Sequence, residues 1–170
     1  RKHWASFIGA VEKMACEELE KNHQEMIRLL RENGIAYNIH GDPQGIHRHY
    51  TADIIPLIFG REDWAVIEEG LKQRARLLDM ILSDIYGPRT LIREGVLPME
   101  LVFRHRGFLR PADQIGLNGP HRLLICSCDL ARGPDGQLRV MKDHTAKPVG
   151  IGYTLENRTA MANVLPELFR

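Results

Sequence analysis

The sequence is short of several things that would narrow its class at once. It has three cysteines in 170 residues. A small, odd number argues against a disulfide framework and reads as reduced thiols in a cytoplasmic setting. Cys126 and Cys128 are separated only by Ser127, which is not Cys-x-x-Cys spacing. No second pair lies at zinc-site distance, so buried structural thiols are the better reading. Charge of one sign is missing too: 23 Lys and Arg against 22 Asp and Glu leave a net +1. That excludes a strong field for nucleic acid or for an anionic membrane surface. The apolar runs are far too short to cross a bilayer. Internal repeats, low-complexity tracts and heptads are absent. No signal peptide is visible, but the chain opens at Arg1 rather than Met and reads as a piece of a longer or processed protein, so that absence carries little weight. What is present is ordinary globular composition, 44% hydrophobic and 26% charged, with enough chain for one domain and a real core.

Apolar spacing predicts helix over the first 33 residues. Trp4, Phe7, Ile8 and Val11 recur at helical intervals. From Cys16 to Asn33, Leu19, Met26, Leu29 and Leu30 share one side, and Asn33-Gly34 is a stop signal. Ile35 to Ile39 reads as a short strand. Gly41 to Gly45 is turn chemistry, and Asp53 to Phe59 reads as a second strand that Pro56 demotes to an edge. The longest helix is expected over Asp63–Tyr86. Its stripe is Trp64, Ile67, Leu71, Arg74, Leu78, Ile81, Leu82 and Ile85, and Gly87-Pro88 ends it. Lys72, Arg74 and Arg76 read as a solvated face rather than a phosphate site. Thr90–Glu94 and Pro98–Val102 are short helices, and a last helix is expected over Leu155–Phe169. Together these predict an α+β fold: a helical arm over about residues 1–33, and an α+β part with a small, mostly antiparallel sheet over about 34–170, in a single domain or fragment.

The most informative stretch runs from Arg122 to Arg158. The apolar run Leu123 to Cys126 leads to Asp129. Gly133-Pro134-Asp135-Gly136 supplies a turn, since Pro presets φ and Gly provides φ > 0. A second run, Gln137 to Met141, leads to Asp143. The expectation is a β-hairpin whose strands close at Asp129 and Asp143. If Asp129 lies opposite Met141, the two carboxylates are diagonal neighbours on one face; a one-residue change of register sends them to opposite faces. Paired carboxylates suit Mg²⁺ with bound phosphate oxygens, although spacing alone favours two solvated strand-end residues. Beyond the hairpin, Gly150-Ile151-Gly152 leads toward a helix, and backbone N–H groups at such a point can face an anion; a plain turn is the commoner explanation. Arg110, between Leu109 and Pro111, either anchors its loop to carbonyls or holds a phosphate or carboxylate through its planar fork. His40, His47 and His49 cluster near Asp42, which reads as a solvated loop before it reads as a metal site.

Six segments, in order along nearly the whole chain, resemble the N-terminal part of the circularly permuted ATP-grasp proteins, relatives of glutathionylspermidine synthetase. They are Tyr37–Gly45, Gln73–Leu78, Asp84–Pro88, Gly107–Pro111, Asp129–Gly136 and Gly152–Arg158. The resemblance implies ATP and Mg²⁺ as cofactors. It matches Asp129 to the Asp that ends one metal-binding strand. It sets Asp143-His144-Thr145 at the Glu-x-Asn place of the next strand, with Asp for Glu and Thr for Asn, so the implied metal ligands are Asp129, Asp143 and Thr145. It turns Asn157 and Arg158 toward the nucleotide or an acyl phosphate, and Gly150, Gly152 and Arg110 toward bound cofactor.

The implied activity is ATP-dependent carboxylate–amine ligation through an acyl phosphate. The family's lysines and adenine-binding strands are expected downstream of Arg170, so the isolated chain is expected to be inactive, with the rest of its own polypeptide and carboxylate and amine substrates as its partners. A second reading keeps the scaffold as a non-catalytic interaction module, on the ground that Asp143 and Thr145 depart from the pattern. A third, a metal-binding protein built on the histidine loop, has little support.

Overall fold

The computed structural model describes residues 2–37, 48–116 and 119–168. It is α+β, as the sequence pattern predicts, and divides into two compact units, Arg1–Gly60 with Val149–Arg170, and Arg61–Pro148.

The first unit is organised by α2 (Cys16–Glu32) and α6 (Gly150–Val164). On α2 the apolar side falls where the periodicity puts it: Met26 and Leu30 are fully buried, and Leu19 and Leu29 pack against them. They meet Ile54 and, from α6 and the residue after it, Ala160, Met161, Val164 and Leu165. The arm is not one continuous helix. α1 (Lys2–Val11) ends in tight backbone bonds from Lys13 N to Ala10 O and from Met14 N to Val11 O, and Ala15 is extended before α2 begins. The expected strand at 35–39 appears as β1 (Ala36–Tyr37), paired antiparallel with β2 (Arg48–His49). The expected strand over Asp53–Phe59 does not form. Oδ1 of Asp53 accepts the Ile55 N–H at 3.0 Å, an Asx-type bend, and Ile54 turns into the core instead. The Gly41–Gly45 turn, with His40, Asp42 and His47, lies outside the described residues.

The second unit is built on α3 (Arg61–Ile85), 25 residues long and without one buried side chain. It is followed by α4 (Thr90–Arg93) and α5 (Met99–Phe103). Asp84, near the end of α3, accepts the N–H groups of Thr90 (2.8 Å) and Leu91 (3.0 Å) and so starts α4. Tyr86 stacks on Phe108 at 5.1 Å, and its hydroxyl accepts the Leu109 N–H at 2.8 Å. Gly87 has to be glycine, because a Cβ there would stand 2.8 Å from the Ser83 carbonyl oxygen. The hairpin closes the unit: β3 (Ser127–Arg132) pairs antiparallel with β4 (Leu138–His144). The turn is the expected one, with Gly136 at φ +79° and the Gly133 N–H bonded to the Gln137 carbonyl at 2.9 Å. The apolar run Leu123–Cys126 is not part of β3. Its backbone is drawn onto α3, where Oδ1 of Asp79 accepts the N–H groups of Arg122 and Leu123, both at 2.8 Å.

Candidate functional site

The hairpin register decides what its carboxylates can do. Next to the turn the ladder is regular: Arg132 faces Leu138, Ala131 faces Arg139, and Leu130 faces Val140. Regular continuation would set Asp129 against Met141. Instead the register shifts between Asp129 and Leu130, and Asp129 pairs with Lys142 while Cys128 pairs with Asp143. Met141 is the extra residue of a β-bulge. Directly paired residues share a face and sequence neighbours do not, so Asp129 and Asp143 lie on opposite faces. The expectation that they are diagonal neighbours is corrected by this one residue. Neither closes its strand: Asp129 is the third residue of β3, and β4 runs one residue past Asp143.

Each carboxylate has its own partner. Oδ2 of Asp129 lies 2.9 Å from Nε2 of His144, the diagonal neighbour on its face. Asp143 faces α3. Its two oxygens accept Nε and Nη2 of Arg74 at 2.7 and 2.8 Å, a fork-on-fork pair, and Oδ1 also accepts the Cys128 thiol at 3.2 Å. The Arg74 guanidinium holds the Asp143 carboxyl below its ordinary range, helped by the thiol. Burial, followed by the neighbouring carboxylate, pushes the Cys128 thiol up to about 11, so it stays protonated and acts as a donor rather than a nucleophile. Arg74 is not part of a merely solvated face. It is exposed, but its place in the apolar stripe between Leu71 and Leu78 turns it toward the hairpin, where Asp143 pairs with it.

On the Asp143 side, α3 and the hairpin enclose a groove of about 740 Å³. Its walls are mixed: Ile67 and Leu71 from α3 face Leu130, Leu138 and Val140 from the hairpin, Gln73 and Gln137 are polar, and Arg74, Arg132 and Asp63 are its charges. Size and lining are those of a ligand pocket or a docking groove.

For the divalent cation that the resemblance implies, the expected donors do not converge. Asp129 and Asp143 face opposite ways, both Asp143 oxygens are bound by Arg74, and Thr145 is exposed beyond the end of β4. Among the described residues, no group of three His, Cys, Asp or Glu side chains is placed to hold a metal. Arg110 opens a short 3-10 turn, Arg110–Ala112, and is exposed.

The remaining candidates lie in the first unit. Gly150 and Gly152 are not in a loop before a helix at Leu155; they form the first turn of α6, which starts at Gly150. That places Glu156, Asn157 and Arg158 mid-helix rather than at its start. Nδ2 of Asn157 donates to the Tyr50 hydroxyl at 2.9 Å, and Tyr50 packs on Tyr153 at 5.0 Å. Oδ1 of Asn157 is buried and has no hydrogen-bond partner among the described residues. Oε2 of Glu156 accepts Nδ2 of Asn33 at 2.9 Å, and Arg158 is exposed. No helix among the described residues is long and apolar enough to cross a membrane.

Comparison with known proteins bears on all of these positions. An uncharacterized protein of Mycobacterium tuberculosis is 37% identical over 177 residues, covering 99% of this chain and 20% of the relative. One from Synechocystis is 34% identical over 172 residues, covering 100% of this chain and 35% of the relative. One from Mycobacterium leprae is 32% identical, covering 91% and 27%. The chain thus spans between a fifth and about a third of the length of these relatives. A sequence model of circularly permuted ATP-grasp type 2 matches residues 56–170, which include α3, the whole hairpin and α6. The chain belongs to the circularly permuted ATP-grasp type 2 family.

Proposed function

We propose that this chain is the N-terminal portion of an ATP-dependent carboxylate–amine ligase allied to the glutathionylspermidine synthetases. The observation that carries the reading is the family match over residues 56–170, within which the Asp129–Gly136 and Gly152–Arg158 segments fall. In the reaction, a substrate carboxylate oxygen takes the γ-phosphoryl group of ATP, releasing ADP. The amine nitrogen then attacks the carbonyl carbon, phosphate leaves, and an amide forms with loss of a proton from nitrogen. Such chemistry rests on positioning and on charge stabilisation. Mg²⁺, when bound, would supply charge neutralisation at the phosphates. Asp129, Asp143 and Thr145 do not form one cradle for it as placed. Among this chain's own residues, the reading assigns Arg158 and Arg110 to anionic oxygens, and the Gly150 and Gly152 backbone to close approach by phosphate. Asn157 would present its unpartnered Oδ1 to an N–H donor. A cytoplasmic setting belongs to the same proposal.

The test uses the longer polypeptide with ATP, Mg²⁺ and pools of carboxylates, with hydroxylamine in place of the amine. ATP-dependent hydroxamate formation supports the ligase; ATP binding with neither hydroxamate nor ADP release against any pool counts against it. Two observations favour a non-catalytic module instead: Asp143 is already neutralised by Arg74, and Thr145 stands where the family pattern has Asn. The same assay separates the two readings.

A further inference from the structure

We infer that Arg74 takes the place of a cation at Asp143, so that Asp143 latches the hairpin onto α3 and is not a metal ligand. The inference concerns the site of the proposed ligase and rests on that reading only for the expectation that a divalent cation binds.

Three observations carry it. The first is parity: the bulge at Met141 sends Asp143 to the face shared by Cys128, Leu130 and Val140, and Asp129 to the face shared by Lys142 and His144. The second is charge compensation. Each Asp143 oxygen accepts one nitrogen of the Arg74 fork at 2.7 and 2.8 Å, and Oδ1 takes the Cys128 thiol as well. A divalent cation at Asp143 would have to stand against the guanidinium that already neutralises it, and a bidentate guanidinium is among the strongest partners that a carboxylate finds in proteins. The third is contrast. The Asp143 side chain is 21% exposed and the Asp129 side chain 60%. Asp129 lies on the open face beside His144 and opposite Lys142, whereas Asp143 is turned toward α3 and its guanidinium.

The pair also accounts for a feature of α3. A helix with no buried residue, facing a two-stranded hairpin, has little to fix its angle to that hairpin. Arg74–Asp143 is a directional contact from the middle of α3 to the end of β4, and it sets the width of the groove that Leu71 and Val140 line.

The experiment uses the whole chain, with Arg74→Gln, Asp143→Asn, their double variant, and the reversed pair Arg74→Asp with Asp143→Arg. Thermal melting and Mn²⁺ binding by electron paramagnetic resonance are the readouts. Each single change at the pair should lower the melting temperature, the double variant should melt no lower than the worse single, and the reversed pair should recover part of the loss. Where the parent binds Mn²⁺, Asp143→Asn should change its affinity less than twofold. A tenfold loss of Mn²⁺ affinity in Asp143→Asn, with a gain in Arg74→Gln, would overturn the inference, because Arg74 would then be a competitor for a true ligand. Purely additive melting shifts would overturn it as well, and they decide the matter alone if the parent binds no Mn²⁺. Neither readout depends on turnover, so a failure here is distinct from a failure of the ligase assay.

Discussion

Asp129 pairs with Lys142 and Asp143 with Cys128, which sets two carboxylates of one hairpin back to back. Their substitutions should therefore fail differently. In the longer protein, Asp129→Asn should lower ATP turnover about a hundredfold, at about 1.4 kcal/mol per tenfold, and leave the melting temperature unchanged, because an exposed amide of the same shape disturbs no packing. Asp143→Asn should lower the melting temperature first, with turnover falling only as the groove loosens. Equal turnover losses with parental melting curves in both variants would mean that the two act as one unit and that the back-to-back arrangement is not the working one.

How far the sequence could be read is clearest in this hairpin. Gly133 to Gly136 announce the turn, and the turn sets the first three cross-strand pairs correctly. Counting onward gives Asp129 opposite Met141, and there the reading fails, because a bulge adds one unpaired residue and nothing in the alternation of Val140, Met141 and Lys142 marks it. The α2 face was legible because Met26 and Leu30 obey helical spacing and find a core. On α3 the stripe was legible and its destination was not: periodicity names a face but says nothing of what covers it. At α6 two glycines argued for a loop, since each weakens a helix by roughly 1 kcal/mol against Ala. The helix begins there regardless, carried by the burial of Ala160, Met161 and Val164 in its later turns. The Asp53–Phe59 run is short and apolar like a buried strand, yet Asp53 caps its own bend.

The core of the first unit is small, so single deletions in it should be costly. Leu30 is fully buried and belongs to the cluster that joins α2 to α6. Leu30→Ala should destabilise that unit by roughly 2–5 kcal/mol, the range for a buried Leu that leaves a cavity. Urea unfolding followed by Trp4 fluorescence, in a Trp64→Phe background, checks this. A shift below about 1 kcal/mol would show that the site collapses around the smaller residue or that the α2–α6 contact is not a core.

Asp79 gives the second unit a pH dependence of defined sign. The Leu123 N–H, then the His121 ring and the Arg122 N–H, hold its carboxyl below the ordinary range. A depressed folded-state pKa adds stability that is fully present above the unfolded value, about 3.9, and is lost as pH falls through the folded value. Melting of the second unit, followed by Trp64 fluorescence in a Trp4→Phe background, should therefore decline in acid below about pH 4. In Asp79→Asn that part of the acid dependence should vanish and the neutral-pH melting temperature should fall, because an amide accepts these donors less strongly. A variant with the parental acid slope would show that the segment at 121–123 is held by something other than Asp79.

The last prediction follows from how little apolar surface the chain covers. On α3, on the hairpin and on the run before it, large apolar side chains stand open: Val66 is 76% exposed, Met80 68%, Leu124 82% and Met141 69%. The relatives that match this chain from end to end are several times longer, so they have polypeptide to spare for covering such faces. Studied alone, the chain should bind a hydrophobic dye strongly in its native state and should self-associate as concentration rises, since exposed apolar patches beyond a few hundred Å² behave in this way. The longer polypeptide should do neither. Light scattering that shows a clean monomer of this chain up to high concentration, with no dye signal before unfolding, would mean that these side chains are covered from within the chain itself.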